Sequence, residues 1–458
     1  MTQPLIDKSA KAAPLACFTA AGWELAAKRE PATTRAWAAA QGFSARPGQV
    51  LLLPDASGKP QRALAGLPEP ADLWSYAAIA AALPAGDYQF ATAPADPSAA
   101  ALGWALAFYR YERYRKPAGK AAARLVWPAG ANQARVRALY DAIALARDLI
   151  NAPSNDMGPA ELAEAAQNVA KQHKAECRVI SGDALLKANY PLIHMVGRAA
   201  SKARAPRLID LRWGKAGAPK LTLVGKGVCF DSGGLDIKPS SGMLLMKKDM
   251  GGAAIMLGLA QAIMALKLPL RLRLLIPAVE NAISADAFRP GDIVKSRKGL
   301  TVEIGNTDAE GRLILADALA EADGEKPDLL LDAATLTGAA RVALGPDLPA
   351  LFSTDDTLAE AMLAAGRAEA DPFWRLPLYT PYREYLDSKI ADINNAGDTP
   401  FAGSITAALF LRDFVTETKA WAHLDVYAWT ARPKAGRPAG GEAMGLRALL
   451  HMLERHFR

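Results

Sequence analysis

Cysteine and histidine are scarce in this sequence of 458 residues, which has three cysteines and five histidines. The cysteines Cys17, Cys177 and Cys229 lie far apart and show no spacing typical of a disulfide framework. Such usage is typical of proteins from a reducing compartment, so a cytoplasmic location is predicted. Cys229 lies in a strand-like run, where a buried packing role is expected.

Long apolar segments are also missing. The longest candidate, Ala253 to Leu266, is shorter than the roughly 20 residues that a membrane-spanning helix needs, and Lys267 ends it. The N-terminus has no basic region followed by an apolar run, because Asp7 and Lys8 interrupt it, so no signal peptide is expected. The sequence therefore predicts a chain without membrane partners.

The histidines give no sign of a serine hydrolase. None of them falls in the acidic clusters described below, and an isolated histidine is more often structural than catalytic. The segment Asp231-Ser232-Gly233 lacks the G-x-S-x-G turn that carries a nucleophilic serine. The histidines to which no role is assigned are His173, His194, His423, His451 and His456.

The remaining composition is that of a globular protein, 51% hydrophobic and 22% charged, and the length suggests two or three domains. The net charge is +7, and many of the excess basic residues lie in one segment. Either a nucleic-acid surface or a solvated basic face would explain that segment, and the solvated face is favoured. The basic residues of that segment are Arg110, Arg113, Arg115, Lys116, Lys120 and Arg124.

Helix and strand patterns alternate along the chain, which predicts the α/β class. Residues 1–133 are expected to form a smaller N-terminal α/β domain, and the helical spacing over 134–150 predicts a linker helix. Residues 151–458 are expected to form a larger C-terminal α/β domain with a central mixed sheet. There is no internal repeat and no low-complexity tail.

One acidic cluster is the stretch Asn306-Thr307-Asp308-Ala309-Glu310-Gly311-Arg312-Leu313. It follows a strand-like run and precedes a helical pattern, so its two carboxylates, at i and i+2, are expected on a strand-to-helix turn. Gly311 allows the backbone to come close to whatever the acids bind, and Arg312 adds a planar positive group. Helix capping alone would also explain acids at this position.

A second cluster, between Val224 and Asp249, favours a functional role for both. The apolar strand from Leu221 to Gly225 leads into a glycine-rich loop, which is where α/β proteins place their sites. The four acids of the two clusters could bind a pair of divalent cations about 3.5–4 Å apart. Neither cluster contains histidine or cysteine, so Zn, Mn, Co and Mg are all compatible and a cysteine-type structural zinc site is not. The four acids are Asp231, Asp249, Asp308 and Glu310.

These segments resemble the leucyl aminopeptidase (cytosol aminopeptidase, M17) family. The resemblance rests on Val224 to Gly227, on Phe230 to Gly234 with Lys238-Pro239, on Met246 to Met250, and on the stretch from Asn306 to Arg312, which has the family's signature without substitution. It covers about the C-terminal two-thirds of the chain. It implies an aminopeptidase that removes N-terminal residues from peptides with two divalent metal ions, Mn or Zn.

The resemblance also implies a role for each matching residue. The metal ligands would be Lys226, Asp231, Asp249, Asp308 and Glu310. The catalytic residues would be Lys238, which would polarise the scissile carbonyl, and Arg312, which would hold a bicarbonate ion acting as general base. The substrate would contact Met246, Asp249, Thr335, Leu336 and Gly338.

The family further implies a homohexamer and an apolar first residue of the peptide. Beyond Val426, however, Tyr427-Ala428-Trp429 and Gly441 to Gly445 resemble the bacterial peptidase B branch, which leaves the preferred first residue open. Two alternatives remain at this point. One is a DNA-binding regulator that keeps the peptidase scaffold, and the other is a two-metal phosphoesterase, which the acids alone would allow.

Overall fold

The computed structural model describes residues 4–116 and 122–457. They form two compact units, Met1–Tyr140 with Ala431–Ala439 and Asp141–Thr430 with Gly440–Arg458. No helix within the described ranges is long and apolar enough to cross a membrane. Lys120, part of the predicted basic segment, lies outside the described residues.

The first unit is built on a six-stranded sheet of order β1-β6-β5-β2-β4-β3, parallel except for β3. Its strands are β1 Leu5–Ile6, β2 Ala13–Phe18, β3 Val50–Pro54, β4 Pro60–Gly66, β5 Gly86–Phe90 and β6 Ala123–Val126. Its helices are α1 Ala20–Ala27, α2 Ala32–Ala40, α3 Leu73–Ala82 and α4 Pro97–Ala107, and α5 Gln133–Asn151 runs on into the second unit.

The second unit is built on a nine-stranded mixed sheet of order β16-β15-β18-β14-β9-β11-β8-β7, with β10 beside β11. Its strands are β7 Glu176–Ser181, β8 Arg207–Trp213, β9 Lys220–Gly225, β10 Gly227–Asp231, β11 Arg271–Asn281, β14 Leu329–Ala334, β15 Ala350–Ser353, β16 Trp374–Arg375 and β18 Trp421–Asp425. Smaller sheets join β12 Ile293–Lys295 with β13 Thr301–Glu303 and β17 Ile393–Asn394, and β19 Trp429–Thr430 with β20 Gly440–Gly441.

The helices of this unit vary in length from one turn to four. They are α6 Pro159–His173, α7 Ala184–Lys187, α8 Pro191–Gly197, α9 Ser240–Met243, α10 Gly251–Ala265, α11 Glu310–Gly324, α12 Gly338–Leu344, α13 Asp356–Ala368, α14 Gly403–Arg412 and α15 Leu446–His456. Short 3₁₀ segments cover Lys202–Arg204, Met246–Lys248 and Thr380–Leu386.

Helices α10 and α11 cover opposite faces of the central strand β9. Val224 packs in one apolar cluster with Leu313 and Leu315 of α11. At Gly225, the next residue, a Cβ atom would lie 2.5 Å from Cα of Ala253 in α10. Because successive strand residues point to opposite faces, the two helices sandwich the sheet. Close approach of α10 therefore requires glycine at position 225.

The structure confirms the predicted α/β class, the smaller N-terminal unit and the mixed central sheet. The apolar strand predicted from Leu221 to Gly225 is present as β9, and a second strand, β10, begins after an interruption at Lys226. Strand β9 pairs with β11 and β14, whereas β10 pairs with β11 alone. The interruption frees Lys226 from the strand while its amide still donates to the carbonyl of Ala333 at 3.0 Å.

Candidate metal centre and active site

The candidate site lies at the carboxyl ends of parallel strands in the central sheet. Lys226 follows β9, Asp231 ends β10, Thr335 follows β14 and Asp425 ends β18. These strands run parallel to one another or to β11, so the residues meet at one edge of the sheet. Loops at this edge are free of ladder hydrogen bonds, which makes it the usual ligand-binding edge of an α/β sheet.

Three carboxylates form the centre of the site. Asp231, Asp308 and Glu310 each place one oxygen so that all three oxygens lie within 4.8 Å of one another. Asp231 and Glu310 are almost completely buried, with 2% and 1% of their surface exposed, whereas Asp308 is partly exposed. Acids this close repel one another unless cations neutralise them, so the cluster has the composition of a divalent-metal site.

Lys226 connects this cluster to Asp249. Its ammonium nitrogen lies 2.7 Å from Oδ2 of Asp249 and 3.0 Å from Oε1 of Glu310. It also donates to the main-chain oxygen of Thr335 at 2.9 Å. Burial would lower the pKa of Lys226, but the charges of Asp249 and Glu310 outweigh it and raise the pKa above its ordinary value. The lysine is therefore the positive partner of two buried acids.

Lys238 neutralises the other side of the cluster. Its ammonium nitrogen lies 2.8 Å from Oδ2 of Asp231 and also contacts Oδ1 of Asp308. The pKa of Lys238 is raised, because the charge of Asp231 and the hydrogen bonds to both acids outweigh the effect of burial. Lys238 therefore remains a charged ammonium group at the mouth of the cluster.

The carboxylate of Glu310 shows directly that the site suits a metal ion. Its Oε1 has the ammonium group of Lys226 at 3.0 Å as an ion-pair partner, whereas its buried Oε2 accepts no hydrogen bond from a described residue. Burial, together with the charge of Asp231, raises the pKa of Glu310. Buried polar atoms are rarely left without a partner, because each one costs about 1–3 kcal/mol. A divalent cation bound to Asp231, Asp308 and Glu310 would supply the missing partner.

Arg312 lies on the first turn of α11, and its side chain is mostly buried. One of its terminal nitrogens donates to the carbonyl of Asn395 at 2.8 Å, while its Nε atom has no hydrogen-bond partner among the described residues. Burial lowers the pKa of Arg312 to about 10, which still leaves it charged at neutral pH. The unused N–H of a buried guanidinium suits a small planar oxyanion such as bicarbonate.

A residue that the sequence did not single out ties the two acidic segments together. Asn281, at the end of β11, donates from its side-chain amide to Oδ1 of Asp231 at 2.9 Å and to the carbonyl of Thr307 at 3.0 Å. The hydroxyl of Thr307 donates to the carbonyl of Gly233 at 2.6 Å. These bonds fix the loop after β10 against the turn before α11. A polar residue that ends a long apolar strand was the available sequence signal.

A cavity of about 530 Å³ opens over the carboxylates. Most of the residues predicted from the resemblance line it. They are Lys226, Asp231, Lys238, Met246, Asp249, Asp308, Thr335, Leu336 and Gly338. Glu310 contacts Lys226, which lines the cavity, and Arg312 lies two residues further along α11. The structure thus brings the two acidic clusters and the loop after β14 together.

Asp425 holds the loop after β14 in place, a function that the sequence did not indicate. One of its oxygens accepts from the amides of Leu336 and Thr337 at 3.0 and 3.2 Å. The other accepts from the Thr337 hydroxyl at 2.6 Å. Within the same loop, the hydroxyl of Thr335 donates to Oδ1 of Asp249 at 2.7 Å. One buried acid therefore sets the shape of the cavity wall beside Asp249.

Lys248, Arg341 and Tyr427 also line the cavity and were not predicted to do so. Burial lowers the pKa of Lys248 to about 8. Part of the predicted basic segment is engaged elsewhere, within the first unit. Arg124 pairs with Asp87 at 2.7 Å, and Arg110 donates to the carbonyls of Ala107 and Tyr109.

Comparison with known proteins matches both parts of the chain. The sequence profile described as "Cytosol aminopeptidase family, catalytic domain" matches residues 144–450, and "M17 aminopeptidase, N-terminal domain" matches residues 17–128. A probable cytosol aminopeptidase of Syntrophotalea carbinolica is 46% identical over 325 residues, which are 70% of this chain and 64% of that protein. The match thus spans less than two thirds of that relative. Peptidase B of Cronobacter sakazakii is 43% identical over 74% of this chain and 81% of its own length.

Solved structures match over nearly the whole chain. The cytosol aminopeptidase of Coxiella burnetii, 48% identical, has a TM-score of 0.95 and covers 99% of this chain and 100% of its own. The bottromycin maturation enzyme BotP, in complex with Mn, is 37% identical, with a TM-score of 0.87 and coverage of 98% and 100%. The signature, the fold and these matches agree, and the chain belongs to the cytosol aminopeptidase (M17) family.

Proposed function

We propose that this protein is a metal-dependent aminopeptidase that removes the first residue from peptides with a free N-terminus. The observation that carries the proposal is the buried carboxylate of Glu310, whose Oε2 accepts no hydrogen bond from a described residue and which shares a cluster with Asp231 and Asp308. Family membership and the Mn in the BotP structure support the same reading. The cavity supplies room for a peptide end.

Two divalent ions, Mn or Zn, are proposed for each chain. The ligands would be Asp231, Asp249, Asp308, Glu310 and Lys226, the last as a neutral amine, a state that a neighbouring dication favours. Bound there, the ions would polarise the scissile carbonyl and lower the pKa of the attacking water. The remaining steps are proposed to fall to Lys238, to Arg312 with the ion that it would hold, and to the residues that line the cavity.

Lys238 is proposed to donate to the carbonyl oxygen as negative charge develops on it. Its ammonium group is held by Asp231 and Asp308, so little reorganisation is needed when the oxyanion forms. Arg312 would hold a bicarbonate ion, which would supply general-base chemistry toward the attacking water and the leaving amine. The C–N bond then breaks, which leaves a free amino acid and a shortened peptide.

Asp249 and the loop after β14 are proposed to fix the register at the first residue. The free α-amino group would bind near Asp249, while Thr335, Leu336, Gly338 and Met246 would contact the backbone and the first side chain. An N-acylated peptide has no free amine for this contact. The requirement for a free N-terminus therefore follows from the contact between the α-amino group and the cavity wall at Asp249, and not from the chemistry of the scissile bond.

The experiment that tests the proposal is hydrolysis of leucyl-, methionyl-, aspartyl- and N-acetyl-leucyl-anilides with Mn, with Zn and with chelator. Cleavage of the free-amine substrates alone, lost with chelator and restored with Mn, is expected. Equal cleavage of the N-acetyl substrate, or activity that survives chelation, would overturn the proposal. The same assay includes a phosphate ester, and phosphatase turnover without peptidase turnover would favour the phosphoesterase alternative.

The remaining expectations are proposals of the same kind. The chain is proposed to be cytoplasmic and to assemble into a homohexamer, and light scattering that gives a monomer would contradict the assembly. The domain bounds 1–133, 134–150 and 151–458 are kept as a proposal. DNA binding gains no support, because the family comparisons do not indicate it and two arginines of the basic segment are engaged within the first unit.

A further inference from the structure

One buried asparagine holds the ligand turn, residues 305–309, which contains Asp308 and leads directly into Glu310. Asn395 directly follows β17, which pairs with β13 in a parallel ladder, and 0% of its surface is exposed. Its amide N–H donates to the carbonyl of Glu303 at 3.0 Å, which extends this pairing by one residue. Because Glu303 ends β13, the pairing brings Asn395 to the start of the ligand turn.

Both ends of the Asn395 side chain contact the ligand turn. The side-chain oxygen accepts hydrogen bonds from the amides of Gly305 and Asn306 at 2.8 and 3.2 Å. The side-chain nitrogen donates to the carbonyls of Asn306 and Ala309 at 2.8 and 3.2 Å. One side chain therefore satisfies four main-chain groups of the turn, which fixes the path of the backbone through Asp308.

The main chain of the same residue holds Arg312. The carbonyl of Asn395 accepts from a terminal nitrogen of Arg312 at 2.8 Å, although the two residues lie 83 positions apart in the chain. The side chain and the carbonyl belong to one residue, so a displacement of Asn395 would move the Arg312 guanidinium and the ligand turn together. These two groups are thus aligned from a segment outside the acidic stretch that contains them.

We propose that Asn395 is a positioning residue, which aligns the guanidinium of Arg312 with the ligand turn. The inference rests on the proposed aminopeptidase function and adds a residue that would act only through others. An asparagine amide suits this task because it donates and accepts at the same time, which a carboxylate cannot do. A misplacement of about 1 Å between catalytic groups can cost about 100-fold, so the alignment affects the rate and not only the stability.

Asn395→Asp tests the alignment, because it keeps the shape and the acceptor but removes the donor. A carboxylate oxygen would face the carbonyls of Asn306 and Ala309 and repel them. Loss of a residue that supports a metal ligand costs about 10- to 100-fold in metal affinity, so the Mn dissociation constant should rise by that factor. Titration calorimetry of metal-free protein measures it.

Kinetics at saturating Mn test the link to Arg312. In Asn395→Asp, kcat for leucyl-anilide should still fall when the metal sites are full, because the guanidinium is displaced from the ligand turn. KM should stay unchanged, because the residues proposed to bind the peptide are not moved. A full kcat at saturating Mn would show that Asn395 supports the metal ligands alone, and the inference would be wrong.

Two controls separate alignment from stability and from charge. Asp392→Ala removes two hydrogen bonds that join the same segment to Thr301 of β13, each 2.7 Å long, and leaves the ligand turn untouched. It should lower the melting temperature without changing Mn affinity or kcat. Asn394→Asp adds a charge at the neighbouring position and keeps the oxygen that accepts from the amide of Ala396 at 3.0 Å. It should not weaken Mn binding.

Unchanged Mn affinity in Asn395→Asp, or an equal loss in Asp392→Ala, would overturn the inference and leave the aminopeptidase intact. Asn395→Ser is the second variant, for the case that the first does not fold. Its hydroxyl adds no charge and can donate to only one carbonyl, so its Mn affinity should also fall, and unchanged affinity would again overturn the inference.

Mn binding also separates failure of the inference from failure of the proposed function, because it needs no turnover. Weaker binding in the Asn395 variants than in both controls supports the metal side of the alignment even if no anilide is cleaved. Absence of Mn binding by the unaltered protein would overturn the proposed function and the inference together.

Discussion

Gly311 lies directly against the side chain of Lys226. A Cβ atom at position 311 would lie 2.6 Å from Cε of Lys226 and 2.7 Å from its ammonium nitrogen. Glycine is therefore required at position 311, because Lys226, which follows strand β9, passes over the first turn of α11. This contact joins the two acidic clusters that lie far apart in the sequence.

Gly311→Ala should accordingly displace Lys226 and with it the contacts to Asp249 and Glu310. A misplacement of about 1 Å in a catalytic site can cost about 100-fold, so kcat/KM for leucyl-anilide should fall at least that far. The matched control is Gly324→Ala, at the end of the same helix, where a Cβ meets nothing within 4 Å. The control should change kcat/KM less than twofold, and comparable losses in both variants would contradict the steric argument.

Glu310→Gln tests the role of the buried carboxylate at the centre of the acidic cluster. Loss of residues that merely support a metal ligand costs 10- to 100-fold, so loss of a ligand should lower kcat/KM by at least about 100-fold. Burial and the charge of Asp231 disfavour the ionised form of Glu310 and outweigh its attraction to Lys226, as its raised pKa shows, so the melting temperature of metal-free protein should not fall. Thermal unfolding with and without Mn gives both results. Glu360→Gln on the exposed side of α13 is the control, and a variant that keeps full activity would remove Glu310 from the site.

Asp425→Asn should loosen the loop after β14 without changing the metal centre. Asparagine keeps one acceptor oxygen, but its amide nitrogen cannot accept the hydrogen bond that the Thr337 hydroxyl donates. Loss of a buried hydrogen bond to a charged group predicts a fall in kcat/KM of about 10- to 100-fold. Steady-state kinetics and Mn titration should be run on the same samples, with exposed Asp286→Asn as control. An equal loss of Mn affinity would show that Asp425 supports the ligands instead.

The buried pair Asp332–His423 predicts a pH-dependent stability. Oδ1 of Asp332 lies 2.5 Å from Nδ1 of His423, and the other oxygen accepts from the Trp421 indole at 2.7 Å. Burial would lower the pKa of His423, but Asp332 raises it above 6.5. At pH values between 6.5 and the pKa of His423 in the folded state, the folded protein therefore binds more protons than the unfolded protein. The pair's contribution to the free energy of unfolding is thus present below pH 6.5 and is lost as pH rises through the folded pKa.

Chemical denaturation across pH 6–9 would measure the contribution of the Asp332–His423 pair to the free energy of unfolding. The free energy of unfolding of the unaltered protein should fall with rising pH relative to that of Asp332→Asn. Parallel curves for the two proteins would show that the imidazole does not take up a proton on folding.

The sequence predicted which residues belong to the site better than the contacts between the segments that carry them. The signature around Glu310 and the loop after β9 named the carboxylates and lysines, because metal chemistry constrains their spacing within each segment. Which segments meet depends on strand order, and β9 is central only because β11 and β14 flank it. The roles of Asn281 and Asp425 follow from contacts between distant segments, which no local pattern reports.

The first unit was harder to predict. Strands β2 and β4 have the sequences APLACF and PQRALAG, which contain no valine, isoleucine or threonine. β-branched residues are the usual local signal of a strand, so no local pattern predicts these two. Ala63 and Ala65 of β4 are fully buried in the unit's core, which shows that pairing and packing, and not intrinsic preference, place β4 in the sheet.

The most direct test of the account is the number of Mn ions bound by metal-free protein, measured by titration calorimetry together with electron paramagnetic resonance. Two ions per chain, magnetically coupled because they share carboxylates, are expected, and Glu310→Gln should abolish the coupling. Binding of no ion, or of two uncoupled ions that Glu310→Gln leaves unchanged, would contradict a shared metal centre at Asp231, Asp308 and Glu310.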